Sequence, residues 1–327
     1  MILVHILALA VSFVILFKCA DLFVDGSCTI AGIFQVPKMV VGIVLVGLAT
    51  TAPEFGVSVT AAFLGKLEIS LGNAIGSVIC DDGVALGLAA VVAPVPILVN
   101  CRLIKVVGIF LLAVDFLAYG LARNGVIGRS EGILFIVILF SYYTFLIKNR
   151  SLRNGLVDRD AVPSCDLDAR PSVSRKMLLK RPVALFAAGL AGVILSSRII
   201  VWAAVNIAQR FSVSETIIGL TVVAIGTSLP EISTCITAGL KGEGELAVGN
   251  IIGADILNIL WIIGVSSVVR PIQVNLDVIN FTFPYMIFIV AVMLLSMRIG
   301  CRLGKAKGIL LFSLYILYLI LMVRFLT

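Results

Sequence analysis

The chain has 327 residues, 61% of them hydrophobic and 13% charged, with a mean hydropathy of +1.17 and a formal net charge of +7. A soluble domain must wrap its core in polar residues, so this composition excludes one and defines an integral membrane protein. The positive charge does not signal nucleic acid, because it lies mostly between and at the ends of apolar runs and is unequal on their two sides.

About 20 apolar residues cross a bilayer as a helix. Ten such runs follow one another, near 3–24, 39–63, 69–93, 103–122, 130–147, 182–207, 215–240, 246–269, 276–297 and 306–325. The predicted fold is an all-α polytopic membrane protein of about ten transmembrane helices. The first run, MILVHILALAVSFVILF, lacks the charged start and cleavage site of a signal peptide and continues to Lys18 and Asp21, so it reads as the first span. His5, the single histidine, reads as incidental. The seven cysteines are scattered, mostly within spans and without metal-ligand spacing, and read as small apolar residues.

The second run, VVGIVLVGLATTAPEFGVS over 40–58, is interrupted by Pro53 and Glu54, a helix breaker and a carboxylate at the depth where each costs most. The third carries GNAIGSVICDDG over 72–83. After the fifth run, residues 148–181 form the one long polar stretch, too poor in apolar residues to fold alone, which reads as a linker. Nine basic residues lie in or beside it. With the N-terminus outside, the inner loops also hold Lys38, Arg102, Lys105, Lys241, Arg298, Arg302, Lys305 and Lys307, whereas the outer ones hold Lys66, Arg123, Arg129, Arg210, Arg270 and Arg324. This asymmetry predicts both termini outside a cell membrane and the linker in the cytoplasm.

Displaced by 177 positions, the chain matches itself. VVGIVLVGLATTAPE falls on IIGLTVVAIGTSLPE, aligning Gly42 with Gly219, Pro53 with Pro230 and Glu54 with Glu231; Gly72-Asn73 meets Gly249-Asn250, and the match runs on to Pro94 and Pro271. Chance likeness between apolar segments would match Leu, Ile and Val, but here Gly, Pro, Asn and Glu match. The division is thus 1–147 with a repeated segment at 40–94, the linker 148–181, and 182–327 with its counterpart at 217–271. Five spans per half is an odd number, so the halves are inverted repeats, an architecture in which interrupted helices meet at a mid-membrane substrate site.

The chemistry of that site follows from its residues. Pro53 and Pro230 leave the carbonyls of Ala49 and Gly226 without their helical donors, and opened backbone at this depth is tolerated only in a cavity or inside protein. The plainer reading, a structural kink with a satisfied glutamate, does not account for two symmetric copies. Ser77 and Asp81 lie one helical turn apart, as do Ala254 and Asn258. The pooled oxygens suit a hard cation such as Ca²⁺, Na⁺ or Mg²⁺ rather than Zn²⁺ or Cu⁺. Three carboxyls so close would not all remain ionised in an empty site, so protons compete with metal ions there. Asp82 and Asp255 read equally as support for the site or as partners of a neighbouring helix. Asp21 and Arg198, equivalent under the same displacement, suggest an ion pair or gate contact; Glu68 and Glu245 start helices, where acids favour the positive end.

At these residues the sequence resembles the sodium/calcium exchanger branch of the cation/calcium antiporters, whose two repeats have the forms G-T-S-x-P-E/D and G-N-x-x-G-S-N-x-x-N/D. GTSLPE at 226–231 matches fully and ATTAPE at 49–54 closely, and the likeness covers essentially the whole chain. The resemblance implies Glu54 and Glu231 as the main Ca²⁺ carboxylates and Asp81 and Asn258 at the family's Asn/Asp ligand positions. It further implies main-chain oxygens from Thr50, Thr227, Ala49 and Gly226, and hydroxyls of Thr51, Ser228 and Ser77 for Na⁺, with the first and sixth spans sliding past a fixed core. The family's G-S-N is GSV at 76–78 and GAD at 253–255, so an Asn is lost at Val78 and a Ser hydroxyl at Ala254. The resemblance therefore implies a Ca²⁺/Na⁺ antiporter, not an enzyme, with the bilayer and inorganic cations as its partners and no cofactor; an H⁺-coupled or K⁺-using exchanger of the same fold is the alternative. An intramembrane aspartyl protease would need a Gly-x-Gly-Asp element, which the chain lacks.

Overall fold

Inside a bilayer the backbone can satisfy its own polar groups only as a helix or a closed barrel, and the apolar runs form helices. The computed structural model describes residues 2–148, 175–210 and 224–326. The first half comprises α1 (Ile2–Phe34), α2 (Lys38–Thr50), α3 (Ala52–Phe63), α4 (Leu67–Val92), β1 (Ile97–Leu98), α5 (Cys101–Ala122), β2 (Val126–Ile127) and α6 (Arg129–Lys148). The second comprises α7 (Arg175–Arg210), α8 (Ala224–Thr227), α9 (Leu229–Leu240), α10 (Gly244–Val269), β3 (Ile272–Gln273), α11 (Val278–Cys301), β4 (Arg302–Leu303) and α12 (Lys305–Leu326). Among the described residues eight helices are long and apolar enough to span a membrane, and the bent pair α2–α3 makes a ninth. The expected span 215–240 is described only through α8 and α9, since 211–223 lie outside the described residues.

The repeat is visible in the backbone. Adding 177 carries α3 onto α9 and α4 onto α10, end to end. These four helices meet at the centre, and α4 and α10 are the most buried spans. Two short antiparallel ribbons tie the halves together, β1 with β4 (Ile97 opposite Leu303) and β2 with β3 (Val126 opposite Gln273). Because each span reverses the chain, the first ribbon lies at the end where α4 and α11 finish, and the second lies at the other end.

Glycine sets how closely the halves approach. Gly249 and Gly253 of α10 rest on the carbonyl groups of Met39 and Ile43 in α2. Reciprocally, a Cβ on Gly42 would stand 2.8 Å from the Asn250 main-chain nitrogen, and one on Gly47 would stand 3.1 Å from that of Ala254. The small-residue spacing seen in GNIIG thus serves backbone-to-backbone packing between the repeats. Helices α1 and α7 pack against each other along their length, with Gly26 and Gly189 admitting the opposing main chain.

Three expectations need correction. Helix α7 begins at Arg175, so 175–181 are helical rather than linker, and the helix continues through Pro182; the remainder of that segment, 149–174, lies outside the described residues. The cysteines are not all isolated: Cys101 and Cys301 form a disulfide, although 200 positions apart, because the β1–β4 ribbon aligns the segments that carry them. The cation partner of Asp21 is Lys241 at 3.1 Å, which also holds Asp25 at 2.7 Å, and not Arg198; α1 presents both carboxylates to the end of α9.

Candidate cation site

Each Pro-Glu pair opens a new helix. Helix α2 ends at Thr50, Thr51 adopts φ −74° and ψ −1°, and α3 restarts at Ala52 with Pro53 in its first turn, where a missing N–H leaves no extra vacancy. The two segments are bent by 48°. Ser228, with φ −84° and ψ 6°, separates α8 from α9 in the same way. The carboxylates of Glu54 and Glu231 are thereby carried on the first turns of α3 and α9, whose positive ends favour negative charge.

Facing them, α4 and α10 each widen from an α- to a π-helix. The wide turns span Asp81–Leu86 and Asn258–Ile263, so Asp81 and Asn258 occupy equivalent positions at their starts. Such turns concentrate at functional sites, because the extra residue re-aims side chains and loosens the hydrogen-bond ladder.

The polar side chains of the two halves interlock. Thr50 Oγ1 donates towards Asn250 Oδ1 at 3.0 Å, sharing its proton with the Val46 and Gly47 carbonyls. The symmetric Thr227 hydroxyl donates to Asn73 Oδ1 at 3.3 Å. Asn73 Nδ2 in turn donates to Ser58 Oγ at 2.9 Å and to the Glu54 carbonyl at 3.3 Å, while Asn250 Nδ2 faces Cys235 Sγ at 3.8 Å. Thr51 Oγ1 donates across the interface to Glu231 Oε1 at 3.4 Å.

Around this frame stand acids with no cationic partner among the described residues. Glu54, Glu231 and Asp81 are buried and within electrostatic reach of one another, and the Ser228 hydroxyl lies beside Glu54 and Asp81 without a hydrogen bond of ordinary geometry. Among the described residues, both carboxylate oxygens of Glu54 and of Asp81, Oε2 of Glu231, the Ser77 hydroxyl and both amide atoms of Asn258 have no hydrogen-bond partner. Ion pairs among the described residues lie elsewhere, between Lys38 and Glu243 and around Lys241. Leaving so many buried polar atoms unpaired costs about 1–3 kcal/mol for each neutral group and more for a charge, so the arrangement is stable only when something satisfies them. No three acidic, histidine or cysteine side chains among the described residues stand close enough to hold a metal by themselves. A cation at this place would draw also on the hydroxyls, the Asn258 amide and main-chain oxygens such as those of Ala49, half-buried, and Gly226, buried under Val201.

Behind this cluster lies a second. Asp82 and Asp255 are fully buried, side by side, and joined by Asp115 of α5, also fully buried; none of the six carboxylate oxygens has a hydrogen-bond partner of ordinary geometry. Sequence reasoning missed Asp115, although a lone acid within the 103–122 run was the available signal. It also missed the role of Asn73 and Asn250, whose identity under the repeat was visible while their partners were not.

Inverted repeats, two broken helices and an acidic, oxygen-rich centre between them define a secondary transporter of inorganic cations. The family described as "Sodium/calcium exchanger protein" matches residues 4–148 and 181–324, and the chain belongs to it. It is 32% identical to a putative antiporter, CaxA, of Alkalimonas amylolytica over 94% of this chain and 95% of that one. It is 27% identical to the sodium/calcium exchanger MaX1 of Methanosarcina acetivorans over 98% and 99%. Its fold superimposes on the sodium-calcium exchanger NCX_Mj, solved after soaking with 2.5 mM Na⁺ and 1 mM Sr²⁺, with a TM-score of 0.82 and 27% identity over 98% of both chains.

Proposed function

We propose that this protein exchanges Ca²⁺ for Na⁺ across a membrane by alternating access, with both ions competing for the centre between α3, α4, α9 and α10. The observation that carries the reading is the pair Glu54 and Glu231, brought together from opposite repeats on broken helices and without a cationic partner among the described residues. In this reading Glu54, Glu231 and Asp81 supply the charge that Ca²⁺ neutralises, and Asn258 completes their ring. Thr51, Ser77 and Ser228 offer hydroxyls to Na⁺, and Thr50, Thr227, Ala49 and Gly226 contribute main-chain oxygens. The net negative centre opposes movement when empty and permits it when loaded, which couples the two ions without a shared intermediate. Helices α1 and α7, a mutually packed pair held to the core chiefly through α9, are the elements proposed to move. The positive-inside bias supports both termini outside and the 148–181 segment in the cytoplasm.

Coupling to H⁺ or K⁺ is the second reading. Asp81 favours it, because a third carboxyl beside Glu54 and Glu231 adds a group that takes up a proton or a further monovalent ion, while Val78 and Ala254 offer no side-chain oxygen. The deciding experiment is ⁴⁵Ca²⁺ uptake into proteoliposomes loaded with Na⁺, with K⁺, or with an imposed pH gradient. Uptake dependent on internal Na⁺ supports the first reading. Uptake that follows only the proton or K⁺ gradient replaces it with the second.

A further inference from the structure

The two ribbons that join the repeats have the same backbone form and different electrostatic character, one end strongly basic and the other nearly balanced. Around β1–β4, residues 94–107 and 298–307 hold Arg102, Lys105, Arg298, Arg302, Lys305 and Lys307 and no acid; the acids beside them are Glu243, paired with Lys38, and Glu245, which flank the start of α10 next to Ile97. Around β2–β3, residues 121–131 and 270–279 hold Arg123, Arg129 and Arg270 against Glu131 and Asp277, with Glu68 close by and bonded to Asn275. Pseudo-symmetry would have made the two ends alike, so the difference is carried by the side chains alone.

The basic end is also preorganised. The ribbon and the Cys101–Cys301 disulfide fix its two segments together. Asn100 caps α5 by accepting from the N–H groups of Arg102 and Leu103, both at 3.1 Å. Lys307 donates its ammonium to the carbonyl of Ser296 near the end of α11 at 2.6 Å and to that of Arg302 in β4 at 2.8 Å. The other five, Arg102, Lys105, Arg298, Arg302 and Lys305, are exposed, and none belongs to an ion pair among the described residues. Two 22-residue helices, α5 and α12, start here and add their positive ends. Leu98 and Ile299, 70% and 67% exposed, stand among these charges. Exposed apolar side chains interleaved with unpaired basic ones, at the level where α4 and α11 end and α5 and α12 begin, match a phospholipid: phosphate at the charges and acyl chain against the leucine and isoleucine.

We propose that the β1–β4 end of the bundle is a docking surface for the headgroups of anionic phospholipids in one leaflet, with Arg298, Arg302 and Lys305 as its principal contacts. The inference rests on the membrane-spanning fold and not on which ions are exchanged or which compartment this end faces. Its test is native mass spectrometry of the purified full-length protein with phosphatidylglycerol or phosphatidylcholine of matched chains. Phosphatidylglycerol should be retained at about tenfold lower lipid concentration, and the preference should shrink as ionic strength rises. The triple substitution Arg298→Gln, Arg302→Gln and Lys305→Gln should abolish the preference, while Arg123→Gln with Arg129→Gln at the other end should leave it intact. Inorganic phosphate should displace no more lipid than a chloride salt of the same ionic strength, because it lacks the acyl chains. Equal retention of both lipids, survival of the preference in the triple variant, or displacement by phosphate beyond that caused by the matched chloride salt would overturn the proposal. The salt dependence of the wild-type protein tests it even where the triple variant is poorly produced.

Discussion

The Thr50 hydroxyl of the first repeat bonds to Asn250 Oδ1 of the second at 3.0 Å, and the symmetric Thr227 hydroxyl bonds to Asn73 at 3.3 Å. Each asparagine therefore holds the broken end of the opposite repeat's helix. These crossed bonds fix where the Thr50 and Thr227 carbonyls sit relative to Glu54 and Glu231, without the asparagines supplying charge themselves.

Replacing Asn250 with alanine leaves the Thr50 hydroxyl its carbonyl acceptors but removes the tie between the halves. The expected loss is about 1 kcal/mol of stability, together with a larger fall in Ca²⁺ uptake than that loss explains. Asn73→Ala should behave alike, and the double variant should show a non-additive effect on transport if the bonds position one shared site. Melting temperature and initial ⁴⁵Ca²⁺ uptake, measured on the same preparations, separate the two effects. Unchanged transport in both single variants would remove the positioning role.

Glu54→Gln and Glu231→Gln keep size and hydrogen bonding while deleting charge. Each should abolish Ca²⁺ uptake and with it the rise in melting temperature that a bound ion confers, which amounts to about 2.7 kcal/mol at one hundred times the dissociation constant. In ion-free buffer neither variant should melt lower than the wild type, since each removes an unpaired buried carboxylate. A variant still stabilised by Ca²⁺ would show that its glutamate does not touch the ion.

Much of this arrangement is legible in the sequence, because costly residues in a membrane must have reasons. Pro53, Glu54, Pro230 and Glu231 stand out against an apolar background, and the 177-residue repeat doubles every signal. What the sequence does not disclose depends on partners distant along the chain. The asparagine ties, the Lys241 contacts with Asp21 and Asp25, and the Cys101–Cys301 bond all join positions 150 or more apart. The π turns at Asp81 and Asn258 were equally hidden, because one extra residue per turn leaves no compositional mark in the sequence.

Gly249 and Gly253 lie against the α2 main chain, which cannot move aside as a flexible side chain can. Gly253→Val should therefore separate α2 from α10 and cost about 1–3 kcal/mol or more, lowering melting temperature and yield of folded protein. Gly32→Val is the control, since a Cβ there meets nothing within 4 Å; any loss in it reflects helix propensity alone. Comparable melting of the two variants would mean that the close approach of α2 and α10 is not needed for stability.

The disulfide closes a loop of 200 residues between the start of α5 and the end of α11. In a freely unfolding chain such a crosslink limits the denatured ensemble by as much as about 5 kcal/mol. Here the spans stay in the bilayer or micelle on denaturation, and the β1–β4 ribbon already aligns the ends, so the expected effect is smaller, about 1–2 kcal/mol. A reducing agent should lower the melting temperature of the wild-type protein by a few degrees. Cys101→Ser and Cys301→Ser should each melt at that lower temperature and no longer respond to reductant. Because the bond lies at the end of the bundle, remote from Glu54 and Glu231, Na⁺-dependent uptake well below the melting temperature should be the same with and without it. A change in uptake on reduction, absent from both serine variants, would instead show that movement of the β1–β4 end belongs to the transport cycle.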